Sequence, residues 1–179
     1  MITIVESDMN FGPYPESRCF YIEKSQLYTK IKCDGVKIAE FLLLKTDSDK
    51  PPVLWVVEAK SNAPKKTDKL IEEVRQKMVN AMSLCWATLL GREAHRHAEA
   101  ELPDAFKTLD LSQIKVKFVL VIKNHQMAWL PPVQDALTKA LRSTVKIWGL
   151  GSDSVIVLNE ERARHYHLIG QGEELLRQD

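Results

Sequence analysis

Residues 36–60 read VKIAEFLLLKTDSDKPPVLWVVEAK, and the two apolar runs in this stretch decide how the chain folds. The first, 36–44, is entered through Asp34-Gly35, a turn signal; the second, 53–59, is rich in valine and carries one tryptophan. Between them, 45–52 holds two aspartates and two prolines, a composition suited to a hairpin loop. The stretch therefore predicts two antiparallel strands.

Each run contains charge where a buried strand rarely accepts it. Glu40 is flanked by Ile38, Ala39, Phe41 and Leu42, while Glu58 and Lys60 close the second run. Desolvating an ion costs on the order of several kcal/mol unless it finds a partner. Strand residues two apart share a face at about 6 to 7 Å, so Glu58 and Lys60 are neighbours. A pairing that sets Glu40 beside Glu58 gathers two carboxylates and an amine at one end of the sheet. Two close carboxylates favour a hard divalent cation, Mg²⁺ or Mn²⁺, completed by waters and substrate phosphate. Such a cation polarises a phosphoryl oxygen and acidifies a bound water, and an adjacent lysine orients that water or stabilises developing negative charge.

Working outward, the opening with Gly12, Pro13 and Pro15 reads as irregular, and 18–31, of mixed pattern, as a short helix. From 67 to about 97, Leu70, Val74, Met78, Ala81, Met82, Cys85 and Leu89 recur at a helical period. Thr67 or Asp68 is available as its N-cap, Glu72 and Glu73 lie in its first turn, and Gly91 is a candidate break. Residues 115–123 read as a buried strand, 132–148 as a helix opened by proline, and 154–158 as a last strand. The order α-β-β-α-β-α-β implies a partly parallel sheet covered on both faces.

The 179 residues, 45% hydrophobic and 27% charged, suit one domain spanning 1–179. No leader pattern and no bilayer-length apolar run is seen, so a cytoplasmic protein without a membrane partner is expected. A formal charge of +1 gives no global attraction to nucleic acid, although lysines such as Lys24, Lys30, Lys32 and Lys37 crowd the first seventy residues. That crowding reads equally as a solvated face and as a phosphate-tracking one. Cys19, Cys33 and Cys85 are scattered and read as reduced thiols, Cys85 in a helix core. No G-x-S-x-G, Walker-type loop or G-x-G-x-x-G occurs, which argues against a serine hydrolase, a P-loop NTPase and a dinucleotide enzyme.

The arrangement of CFYIEKS (19–25), VKIAEFLLL (36–44) and LWVVEAKSNAP (54–64), with an acid in an apolar strand, a hairpin, and a second strand ending E-x-K, resembles the core of the PD-(D/E)XK nuclease superfamily. The resemblance implies a restriction-endonuclease-like α/β fold of three layers, a central mixed sheet flanked by helices. Its core order, α-β-β-β-α-β, has three consecutive strands after the first helix where the pattern above displays two. It further implies Mg²⁺- or Mn²⁺-dependent hydrolysis of nucleic-acid phosphodiester bonds, DNA favoured over RNA. Carried over by residue, Glu58 and Lys60 take the (D/E)XK positions and Glu40 the place where most members have aspartate. Glu40 and Glu58 would be the metal ligands, Lys60 the assistant to the attacking water, and Glu23 the helix-borne acid that many members add. Asp34 competes with Glu40 but has an adequate explanation in its turn. The superfamily also contains inert members, so the alternative is a catalytically inactive binding or assembly module in a DNA-processing or defence complex, with a second copy or another subunit as partner.

Lys65 and Lys66 follow the E-x-K strand and precede a helix N-terminus, where a DNA-backbone phosphate or plain solvent is expected. Gln76 and Asn80 share a face of the long helix, more simply an exposed one. Met78, Met82 and Trp86 read as core ahead of interface. His95 and His97 diverge in a helix end, and His165 and His167 flank Tyr166 in a strand-like segment; all four read as surface histidines.

Overall fold

A computed structural model describes residues 1–47, 50–62, 67–92 and 101–170. The opening is a hairpin, not irregular chain: β1 (Ile2–Glu6) pairs antiparallel with β2 (Met9–Tyr14) through Ser7 and Asp8. Both turn residues have positive φ, 50° and 55°, which matches the right-handed twist of the flanking strands. The two-residue strand β3 (Cys19–Phe20) and a 3₁₀ turn at Ile22–Lys24 lead into helix α1 (Gln26–Ile31), whose N-cap is Ser25. The short helix expected within 18–31 is therefore present but confined to its second half.

The decisive hairpin forms as expected. β4 (Phe41–Asp47) pairs antiparallel with β5 (Lys50–Lys60), with Phe41 opposite Val57 and Leu44 opposite Leu54. Its strands extend into the stretch read as loop, and β4 starts later than the pattern suggested. Residues 36–40 carry no regular secondary structure and lie outside it, so Glu40 immediately precedes the strand instead of sitting inside it.

Helix α2 (Thr67–Leu89) follows and ends just before the candidate break, Gly91, which has φ +60°; the rest of the expected helix, 93–97, lies outside the described residues. The short α3 (Asp104–Lys107) precedes β6 (Lys115–Ile122), which lies parallel to β5. Helix α4 (Leu130–Ile147) returns the chain to β7 (Val155–Asn159), parallel to β6, and α5 (Glu160–His165) is capped by Asn159. His165 thus ends a helix and His167 has φ +55°, so these two do not flank Tyr166 along a strand.

The result is a mixed five-stranded sheet of order β3-β4-β5-β6-β7 in a chain of α/β class. A third antiparallel strand, β3, lies beside β4 but precedes α1 in the chain. Alternation along the strands divides the core. Leu42, Leu54, Val56, Phe118 and Leu120 pack against α2 and α4, burying Val74, Met78, Cys85, Leu137 and Leu141. Phe41, Trp55, Val57, Val119 and Val121 face the other way, covered by Ile4, Met9 and Phe11 of the N-terminal hairpin and by Ala163 and Leu168. The second face is therefore closed by a hairpin and one short helix. Met78, Met82, Cys85 and Trp86 are all buried, as expected of core. No described helix is long and apolar enough to cross a membrane.

Candidate functional site

The strand parity that builds the core also builds the site. Even-numbered residues of β5 face α2, so Glu58 and Lys60 continue the row begun by Leu54 and Val56. The register Phe41 to Val57, carried one step further, sets Glu40 across from Glu58, and the Glu40 N–H donates to the Val57 carbonyl at 3.1 Å. Glu40 thus occupies the expected place although it lies outside the strand. A second backbone bond, Ala39 N–H to Lys77 carbonyl at 3.1 Å, ties this segment to α2.

Helix α2 contributes what the sequence reading missed. Lys77 Nζ lies 2.9 Å from Glu58 Oε1 and 3.3 Å from Glu40 Oε1, bridging the two carboxylates. Lys60 Nζ lies 2.9 Å from the same Glu58 oxygen and 3.1 Å from Glu73 Oε1, and Lys37 reaches the other Glu73 oxygen at 3.4 Å. Charges therefore alternate along a ladder: Glu40, Lys77, Glu58, Lys60, Glu73, Lys37. Gln76 is exposed, whereas Asn80 donates to the Lys37 carbonyl at 2.7 Å and pins the approach to Glu40. The position between them in the chain, Lys77, is the one that enters the site.

Both carboxylates are deeply buried, Glu40 at 5% and Glu58 at 0% exposure. Each keeps one oxygen, Oε2, with no hydrogen-bond partner among the described residues. Burial pushes the Glu58 carboxyl above the usual carboxylate range, against the pull of Lys77 and Lys60. Burial, then the Glu58 charge, lifts Glu40 to about 8 despite Lys77, with Glu23 adding to the rise. For Lys60 and Lys77 burial works downward, but the neighbouring carboxylates, Glu58 first with Glu73 beside Lys60 and Glu40 beside Lys77, outweigh it and hold both ammonium groups above their ordinary value.

Glu23 stands beside Glu40, delivered by the Ile22–Lys24 turn ahead of α1 and not by the helix itself. Its N–H donates to the Glu40 carbonyl at 3.2 Å. A third acid joins them. Glu6, from the end of β1, offers a carboxylate oxygen within 4.8 Å of those of Glu23 and Glu40, and the Tyr21 hydroxyl donates to it. Acid is thus in excess at the Glu40 end of the ladder.

Asp34, in the turn closed by Gly35 at φ +76°, is exposed and takes no part in the cluster. Lys65, Lys66, His95 and His97 lie outside the described residues. Lys77 carried one legible signal: it is seven residues from both Leu70 and Leu84, which are buried on the sheet-facing side. Glu6 carried none, because its strand was read as irregular. No family model, curated protein or solved structure matches the chain.

Proposed function

We propose that the chain is a divalent-cation-dependent phosphodiesterase acting on nucleic acid, DNA favoured, with a restriction-endonuclease-like core. One observation carries this reading: the buried carboxylates of Glu40 and Glu58 stand side by side next to Lys60, each with an unpartnered Oε2. A buried acceptor without a partner costs about 1–3 kcal/mol, more when charged, and a hard cation is the ligand that two such oxygens suit. Donor chemistry and burial therefore fit Mg²⁺ or Mn²⁺, held by Glu40 and Glu58 with Glu23 beside them. When bound, such an ion supplies Lewis-acid polarisation of phosphate and a more acidic water.

The protein's own part is positioning and charge. Lys60, at the open end of β5, is fixed between Glu58 and Glu73, from where its ammonium can donate to an attacking water or to a phosphate oxygen. Lys77 keeps the carboxylates from repelling each other before a cation arrives. The strand order supports the fold part of the reading, since β3-β4-β5 antiparallel followed by β6 parallel supplies a third antiparallel strand next to the hairpin, as the nuclease core has. That strand comes before α1 and not after it.

Calorimetric titration of Mg²⁺ and Mn²⁺ tests the centre, with Glu40→Gln and Glu58→Gln alongside wild type. Binding lost in both variants, together with metal-dependent cleavage of DNA that Lys60→Ala abolishes, is the expected result. A second reading, an inert module of the same fold, is favoured by Lys77, whose ammonium already bridges both carboxylates where a cation would bind. Nucleic-acid binding without metal uptake or cleavage would establish it.

A further inference from the structure

The sheet has a second concave feature, at the opposite end from the acids. Lys115 pairs with Val53 and Ile122 with Lys60, so the start of β6 lies seven steps, about 23 Å, from the candidate centre. There a cavity of about 340 Å³ opens between the C-terminal ends of α2 and α4 and the first residues of β6. Its volume falls in the ~300–1,000 Å³ range of small-molecule sites.

Two tryptophans form its aromatic wall. Trp86 is buried, and Trp148, immediately after α4, packs against it at 6.4 Å between ring centroids with an interplanar angle of 59°. Trp148 is nevertheless 51% exposed, so part of its ring surface remains open to a ligand. Near the end of α4 the carbonyls of Thr144, Lys146 and Val145 accept from the N–H groups of Trp148, Gly149 and Leu150. Charge on the wall is unbalanced. Lys117 is paired with Asp153 at 3.0 Å, but Lys115 is exposed and has no ion-pair partner among the described residues.

The Ser112 and Ser154 hydroxyls are already given to Asp110 at 2.7 Å and to the Gly151 carbonyl at 2.6 Å, but the aromatic surface and an exposed ammonium outside any ion pair among the described residues fit a flat heteroaromatic ring carrying an anion. We propose that this cavity binds a nucleotide, its base stacked on Trp148 and its phosphate on Lys115. The shared chemistry is base plus phosphate, supplied either by a free mononucleotide or by the end of a single strand. The site is separate from Glu40 and Glu58, and its occupancy does not depend on catalysis there.

The experiment is titration of AMP, adenosine and an octathymidylate into the full chain, read by tryptophan fluorescence. Saturable quenching by AMP that weakens at least tenfold in Trp148→Leu is expected, as is a loss of about tenfold for AMP but not for adenosine in Lys115→Glu. Quenching by the oligonucleotide alone would assign the strand end as the source; quenching by AMP would assign the free nucleotide. Absence of saturable quenching by either, or an unchanged affinity in both variants, overturns the proposal. If Trp148→Leu fails to fold by circular dichroism, calorimetry of AMP on Lys115→Glu, an exposed position, decides it. Sedimentation that shows a dimer dissociated by Trp148→Leu, with no nucleotide bound, would identify the face as an interface and also overturn it.

Discussion

Lys77 and Glu58 are in direct contact, Nζ to Oε1 at 2.9 Å, across the boundary between α2 and the sheet. The same ammonium contacts Glu40 at 3.3 Å, so one helix residue bridges two buried acids. Replacing it by methionine leaves both carboxylates without their shared bridge, and breaking a buried pair from one side costs about 3–5 kcal/mol. Lys77→Met is therefore expected to lower the urea midpoint strongly at pH 8. Added Mg²⁺ should restore more stability to this variant than it adds to wild type.

Lys60 touches Glu58 but not Glu40, and it stands at the open end of the strand. Lys60→Met is expected to cost less stability than Lys77→Met in the same denaturation series, because it leaves both Glu58 and Glu40 on Lys77, whereas Lys77→Met strips Glu40 of its ammonium. The reverse order would mean that Lys60, not Lys77, is the principal counter-charge.

Glu40 titrates near 8, well above its value of about 4.3 in an unfolded chain. Between these limits the folded protein binds the extra proton, so stability is highest at the acidic end and falls as pH rises toward 8, then levels off. Glu40→Gln should flatten this slope and raise the melting temperature at pH 8. A melting curve series from pH 5 to 9 checks the sign.

Metal uptake follows from the same group. A cation requires the Glu40 carboxylate in its charged form, so binding at pH 7 should release a proton. Mg²⁺ calorimetry of the wild-type chain in buffers of different ionisation enthalpy measures that proton directly, and a binding enthalpy independent of the buffer would contradict it.

The β1–β2 turn uses Ser7 and Asp8 where both φ angles are positive. Asn-Gly is the pair best suited to that geometry, and installing it should stabilise the chain by up to about 1 kcal/mol. Thermal unfolding of the double variant is the measurement.

The paired acids were legible because charge inside apolar runs is costly, and strand parity then fixed which face Glu58 and Lys60 share. The bridging lysine was much less so. A 23-residue helix carries many charges, and only the seven-residue spacing of Lys77 from Leu70 and Leu84 set it apart. Glu6 was illegible because a turn without glycine and a strand containing Gly12-Pro13 do not read as a hairpin. Strand β3 escaped for a simpler reason: two residues cannot display a period.

The placement of β5 between an antiparallel and a parallel neighbour has a consequence for how such a chain can change over generations. One residue inserted between Val53 and Glu58 would reverse the parity of everything after it, turning the acid and the amine toward the N-terminal hairpin and away from α2. The central strand is thus closed to changes of length. Diversity in this protein must accumulate by substitution there, and insertions belong to the connections outside the sheet.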